Sequence, residues 1–142
     1  MNKRDALLSL IDGATLDYTP AAFFMHFDPA CHVGQAAVDK HIEYFRATGM
    51  DFVKIQFEQR MPAEPVIEKA ADWAQIPLYP ESYFAPTLRV VEGLVKAMRD
   101  EALVVMTLYS PFMLAMQVGG DVDLAQHIGE DADAVRQGLA NA

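Results

Sequence analysis

AVDKHIEYFRATGMDFVKIQF, residues 37–57, decides the fold. Val38, Ile42 and Phe45 recur at helical spacing and predict an apolar stripe on a helix over 34–48. Thr48-Gly49 ends that helix. DFVKIQF (51–57) follows at once, with Phe52, Val53, Ile55 and Phe57 apolar, and reads as a strand. A helix feeding directly into an apolar strand is the repeating unit of α/β proteins with parallel sheets.

The flanks extend the alternation. KRDALLSLI carries Leu7, Leu8 and Ile11 on one expected helix face, stopped by Gly13. After Thr19-Pro20, AAFFMHF (21–27) has the aromatic content of a buried strand, broken by Asp28-Pro29. Residues 58–85 hold Pro62, Pro65, Pro77 and Pro80, too many for one continuous element, and Trp73 is the expected anchor of this stretch. Pro86 suits the first position of a helix whose stripe is Leu88, Val91, Val95 and Met98. ALVVMTLY (102–109) is apolar almost throughout, as in a parallel strand covered on both faces. Ser110-Pro111 opens a Met-rich helix ending at Gly119-Gly120. A last helix starts near Asp131, with Ile128, Ala132, Val135 and Leu139 as its stripe and Glu130, Asp131 and Asp133 at its positive end.

The expected fold is therefore α/β, a parallel sheet with covering helices, in one domain of 142 residues. Three strand-like runs are few for a closed barrel, which needs eight strands and about 250 residues. The chain stops at GLANA, where the alternation calls for another strand.

Charge and composition narrow the function. Twenty acidic residues against 11 basic ones leave a net charge of −9, which disfavours nucleic acid and anionic membrane surfaces as partners. No apolar run is long enough for a membrane span, and no signal peptide is recognisable. The one cysteine, Cys31, excludes an intrachain disulfide and suits a reducing cytoplasm.

KRDALLSLIDG, LDYTPAAFF, AVDKHIEYFRATGMDFVKIQFE and TLYSPFMLAMQVGG, taken in order and spacing, resemble the N-terminal part of the uroporphyrinogen decarboxylase family. The resemblance covers essentially the whole chain. It implies the first part of a (β/α)8 barrel, incomplete at the C-terminus, and carboxy-lyase chemistry on a carboxylated tetrapyrrole without metal or prosthetic group. The family's arginine-bearing loop after the first strand corresponds to FFMHFDPACHVG, which has no arginine. Glu58 falls on the family's catalytic aspartate, and Gln117 on its active-site tyrosine. The pattern resembles a divergent branch. Corrinoid-linked methyltransferases share this superfamily, and their chemistry, with a corrinoid protein partner, is the alternative. A further alternative is a non-catalytic partial barrel that acts by oligomerisation.

Barrel active sites lie at the C-terminal ends of the strands. That topology selects His26 and Glu58 as catalytic candidates, with Arg60 and Tyr109 as substrate-binding candidates; the resemblance adds Gln117, and Phe24 of the first strand joins them. Glu58 could stabilise a developing cation or act as an acid or base; the plain alternative is a solvated carboxylate or a partner of Arg60. His26 suits proton transfer or metal binding, or is a packed polar residue. Arg60 suits a substrate carboxylate, or pairs with Glu58 or Glu64. His26, Cys31 and His32 match no zinc spacing, so no metal is expected. His41, beside Ile42, is expected to face solvent, His127 carries no functional signal, and Met98, Met106, Met113 and Met116 read as core. Glu58, His26 and Arg60 should border one pocket. The missing arginines predict no turnover of uroporphyrinogen by this chain alone. The apolar strand 102–109, left at a sheet edge, predicts a homodimer.

Overall fold

The computed structural model describes residues 2–60, 62, 65–119 and 122–142. The chain divides into two compact units, one of residues 1–58 and 84–107, the other of residues 59–83 and 108–142. It is a mixed, helix-rich structure with one small parallel sheet of two strands. No helix among the described residues is long and apolar enough to cross a membrane.

In the first unit, α1 (Lys3–Ile11) is capped by Asn2, whose side chain accepts from the Asp5 N–H. Leu7 is buried, but Ile11, expected on the same face, is exposed: the helix runs out of covering structure in its last turn. Helix α2 (Gly34–Thr48) buries Ala37, Val38, His41 and Phe45. It stops at Gly49, whose φ of 68° lies in the left-handed region that glycine enters without steric cost. Strand β1 (Val53–Lys54) pairs in parallel with β2 (Val104–Val105), and the Val53 and Ile55 N–H groups donate to the Leu103 and Val105 carbonyls. Both strands are shorter than the apolar runs that announced them. The core joins Val38, Phe45, Met50, Val53, Ile55 and Phe57 to Val90, Leu94 and Met98 of α3 (Glu81–Met98).

Two expectations for this unit are corrected. Residues 21–27 form no strand, and several of their backbone groups bond side chains in place of a neighbouring strand. The Ala21 N–H donates to the Asp51 carboxylate (2.8 Å) and the Met25 N–H to the Gln56 side-chain oxygen (2.7 Å). Helix α3 begins at Glu81, not at Pro86. The first four N–H groups of any helix lack intrahelical partners, so a proline at the sixth position forfeits little more than the bond to the Ser82 carbonyl. The buried face of the helix is also not the expected stripe: Val90, Leu94 and Met98 are buried, while Leu88 and Val95 are exposed.

In the second unit, a 3-10 segment (Ala70–Gln75) carries Trp73, fully buried as its anchoring role required. Around it pack α4 (Pro111–Gly119), α5 (Leu124–Glu130) and α6 (Ala132–Asn141). Asp131 caps α6 by accepting from the Ala134 N–H. The buried face of α6 is Ala134, Val135 and Gly138; Ala132 is exposed, and Ile128 is exposed on the separate helix α5. Gly138 is there for space, since a Cβ would lie 2.6 Å from the Trp73 carbonyl oxygen. Of the methionines expected in the core, Met98 is buried and Met113 exposed. Gly119 closes α4, and Gly120 lies outside the described residues.

Candidate functional site

Alternation along β1 and its continuation separates two sets of side chains. Val53, Ile55 and Phe57 enter the core. Lys54, Gln56 and Glu58 all engage the preceding segment, residues 23–26. The Glu58 carboxylate meets His26 Nε2 at 3.1 Å. The Lys54 ammonium sits 4.6 Å from the centre of the Phe24 ring, and Phe24 meets the His26 imidazole edge to face at 4.9 Å. Gln56 is fully buried; its amide accepts from the Met25 N–H and donates to the Phe23 carbonyl at 2.9 Å. One cation, one carboxylate and one imidazole thus lie together at the C-terminal end of β1.

Electrostatics follow from burial. The Glu58 side chain is 10% exposed and that of His26 is 58% exposed, so the carboxylate is the sheltered member and the imidazole the accessible one. A carboxylate can only accept, so Nε2 is the protonated nitrogen facing Glu58, and Nδ1 is left to exchange a proton with a ligand. Partial burial lowers the Lys54 pKa, and the nearby Glu58 charge opposes that shift. Lys54 also donates to the Ile55 carbonyl (2.6 Å).

The structure therefore brings together Phe24, His26 and Glu58 of the sequence candidates. Arg60, Tyr109 and Gln117 belong to the second unit. Arg60 is exposed, and its carbonyl accepts from the Tyr83 hydroxyl at 2.6 Å. Among the described residues it makes no ion pair, and the partner of Glu58 is His26; the expected Arg60–Glu64 pairing lies outside the described residues. Tyr109 is half-buried and Gln117 is exposed on α4. Asp28 caps the 3-10 turn Pro29–Cys31 by accepting from the Ala30 N–H. His32 bonds the Phe27 carbonyl through Nε2 (2.9 Å) and stacks on Phe57. Among the described residues no three His, Cys, Asp or Glu side chains converge on a point where a metal would sit.

Sequence reading missed Lys54 and Gln56. Their signal was polar residues at alternate positions of an otherwise apolar run, K-I-Q-F-E at 54–58. It also misplaced His41 and made no statement about the burial of His127. His41 is 1% exposed: its Nδ1 bonds the Ala37 carbonyl (2.6 Å), and its Nε2 accepts from the Gln56 N–H (2.8 Å). His127 is buried in the second unit, where its Nδ1 accepts from the Trp73 indole N–H at 3.0 Å. No family model, curated protein or solved structure matches this chain.

Proposed function

We propose that the chain is a divergent relative of the uroporphyrinogen decarboxylase family, forming the first part of its barrel, and that His26 and Glu58 carry proton transfer to a carboxylated cyclic substrate. The observation behind this reading is the 3.1 Å contact of an accessible imidazole with a sheltered carboxylate at a strand's C-terminal end. In a carboxy-lyase step the C–CO2 bond breaks, its electron pair stays on carbon, and one proton replaces the departing CO2. His26 supplies that proton from Nδ1, while Glu58 holds Nε2 and stabilises the imidazolium. Lys54 draws the substrate carboxylate toward the Phe24 ring, which offers an apolar edge to a flat ligand.

The test is release of labelled CO2 from porphyrinogens of decreasing carboxylate number. Release is expected from a member with few carboxylates, falling about a hundredfold in His26→Ala. Uroporphyrinogen is expected to be inert, since residues 23–34 hold no arginine. Release from no member, or release indifferent to His26, contradicts the reading.

A second reading, association with another copy of the chain, is favoured by the sheet. Among the described residues strand β2 has β1 on one side only, and Val105 is exposed. An uncharged edge such as 102–109 pairs with its own copy without opposing like charges. Sedimentation at micromolar concentration is expected to give a dimer mass; a monomer without concentration dependence contradicts it.

A further inference from the structure

The most deeply buried titratable group of the first unit is connected to the candidate site by consecutive hydrogen bonds. His41 Nε2 accepts from the Gln56 backbone N–H (2.8 Å). The side chain of the same Gln56 then holds the Met25 N–H (2.7 Å) and the Phe23 carbonyl (2.9 Å), on both sides of Phe24 and one residue before His26. Residues 21–27 have no strand ladder of their own, so these side-chain bonds set where His26 lies. We infer that His41 senses protons from within the core and acts through Gln56 to position His26 against Glu58. The inference rests on reading His26 and Glu58 as the site.

The ring accounting leaves one neutral form. The Ala37 carbonyl can only accept and the Gln56 N–H can only donate, so Nδ1 carries the hydrogen and Nε2 is bare. A second proton would go to Nε2 and point at an N–H group. Two donors cannot share that contact, and at 1% exposure no water replaces the lost bond. The groups facing His41 make the charge costlier. His32, from the turn before α2, and Lys54, from β1, both oppose it, and the surroundings are otherwise Phe27 and Phe57, with Tyr44 of α2 against Phe27. Burial is the largest cause of the lowered His41 pKa, and the Ala37 carbonyl only partly offsets it. Once protonated, His41 pushes the Gln56 backbone away, the amide of Gln56 loses register with Phe23 and Met25, and His26 leaves Glu58. His41 is thus a positioning residue that holds the site together at neutral pH and releases it on the acid side of the ordinary 6.5.

The experiment follows the backbone amides and imidazole nitrogens of the full chain by NMR, from about pH 8 down through the His41 midpoint, as far into acid as the fold persists. The Met25 backbone amide and the Gln56 side-chain amide are expected to shift with the same midpoint as His41, below the ordinary 6.5. Gln56→Met keeps the backbone bond to His41 and removes the side-chain bridge; the Met25 response at that midpoint is then expected to vanish while His41 still titrates. If Gln56→Met does not fold, His41→Gln serves, and the response is expected to vanish there too. A Met25 amide that ignores the His41 midpoint in the unaltered chain overturns the inference, as does a response that survives either substitution. The readout needs no turnover: a chain that shows the coupled titration but releases no CO2 contradicts the proposed chemistry and leaves the coupling intact.

Discussion

Each unit buries one histidine beside aromatic rings, and the two are used differently. In the first unit both nitrogens of His41 are bonded to backbone, and the second of those bonds leads through Gln56 to residues 23–26. In the second unit His127 takes one bond, from the Trp73 indole, and fastens the 3-10 segment to α5 across 54 positions of sequence. The buried histidine of the second unit is a staple. That of the first is wired to a surface cluster with a cation, a carboxylate and an accessible imidazole. Burial of a histidine therefore says little alone; what its partners touch decides whether its charge matters.

Substitutions in the second unit should have the largest effects. Gly138→Ala drives a Cβ to 2.6 Å from the Trp73 carbonyl, a backbone atom that cannot turn aside. The gain in helix propensity, about 1 kcal/mol, is outweighed by overpacking of about 2–3 kcal/mol or more, so urea denaturation should show a net loss. Trp73→Phe removes the indole donor and leaves His127 Nδ1 buried without its partner. That change should cost about 2 kcal/mol, and His127→Ala made on top of it should cost less than His127→Ala alone.

The first unit should respond to acid more than to volume. The folded His41 pKa lies below the unfolded 6.5, so the unfolded chain binds the extra proton first as pH falls. The stability present above about pH 7 is lost progressively as pH drops through 6.5 toward the lower folded value. Thermal unfolding across this range should show the loss, and His41→Gln should flatten it. The smallest effect is expected at Gly93. There a Cβ would meet Val38 Cγ2 at 2.8 Å, a side chain that can shift a little, and the helix-propensity gain roughly offsets the clash. Gly93→Ala should stay within about 1 kcal/mol of the unaltered chain; a loss as large as that of Gly138→Ala would break the distinction between backbone and side-chain contacts.

Much of the framework could be read from residue order. The α2 stripe, its stop at Gly49, the apolar runs that hold β1 and β2, the burial of Trp73 and the start of the last helix near Asp131 rest on local periodicity and capping chemistry. Residues 21–27 were misread because aromatic content reports burial and not the source of hydrogen bonds, which here are the side chains of Asp51 and Gln56. His41 was misread through its neighbour Ile42, although it lies three residues after Val38 and four before Phe45, on the buried face of the same helix. The His26–Glu58 contact was expected from two strand ends facing one way; it forms although residues 21–27 are no strand, with Gln56 holding Phe23 and Met25 beside them. Lys54 and Gln56 needed the alternation within the strand to be taken as seriously as its apolar content.

The central claim is that His26 and Glu58 act as one unit in proton transfer. Its most direct test is a double-mutant cycle on CO2 release, comparing the unaltered chain, His26→Ala, Glu58→Gln and the double variant on the same porphyrinogen. If Glu58 works through the imidazole, the double variant should be no slower than the slower single one, because removing the imidazole leaves the carboxylate nothing to hold. Losses that multiply, each substitution costing its full factor in the absence of the other, would contradict the account.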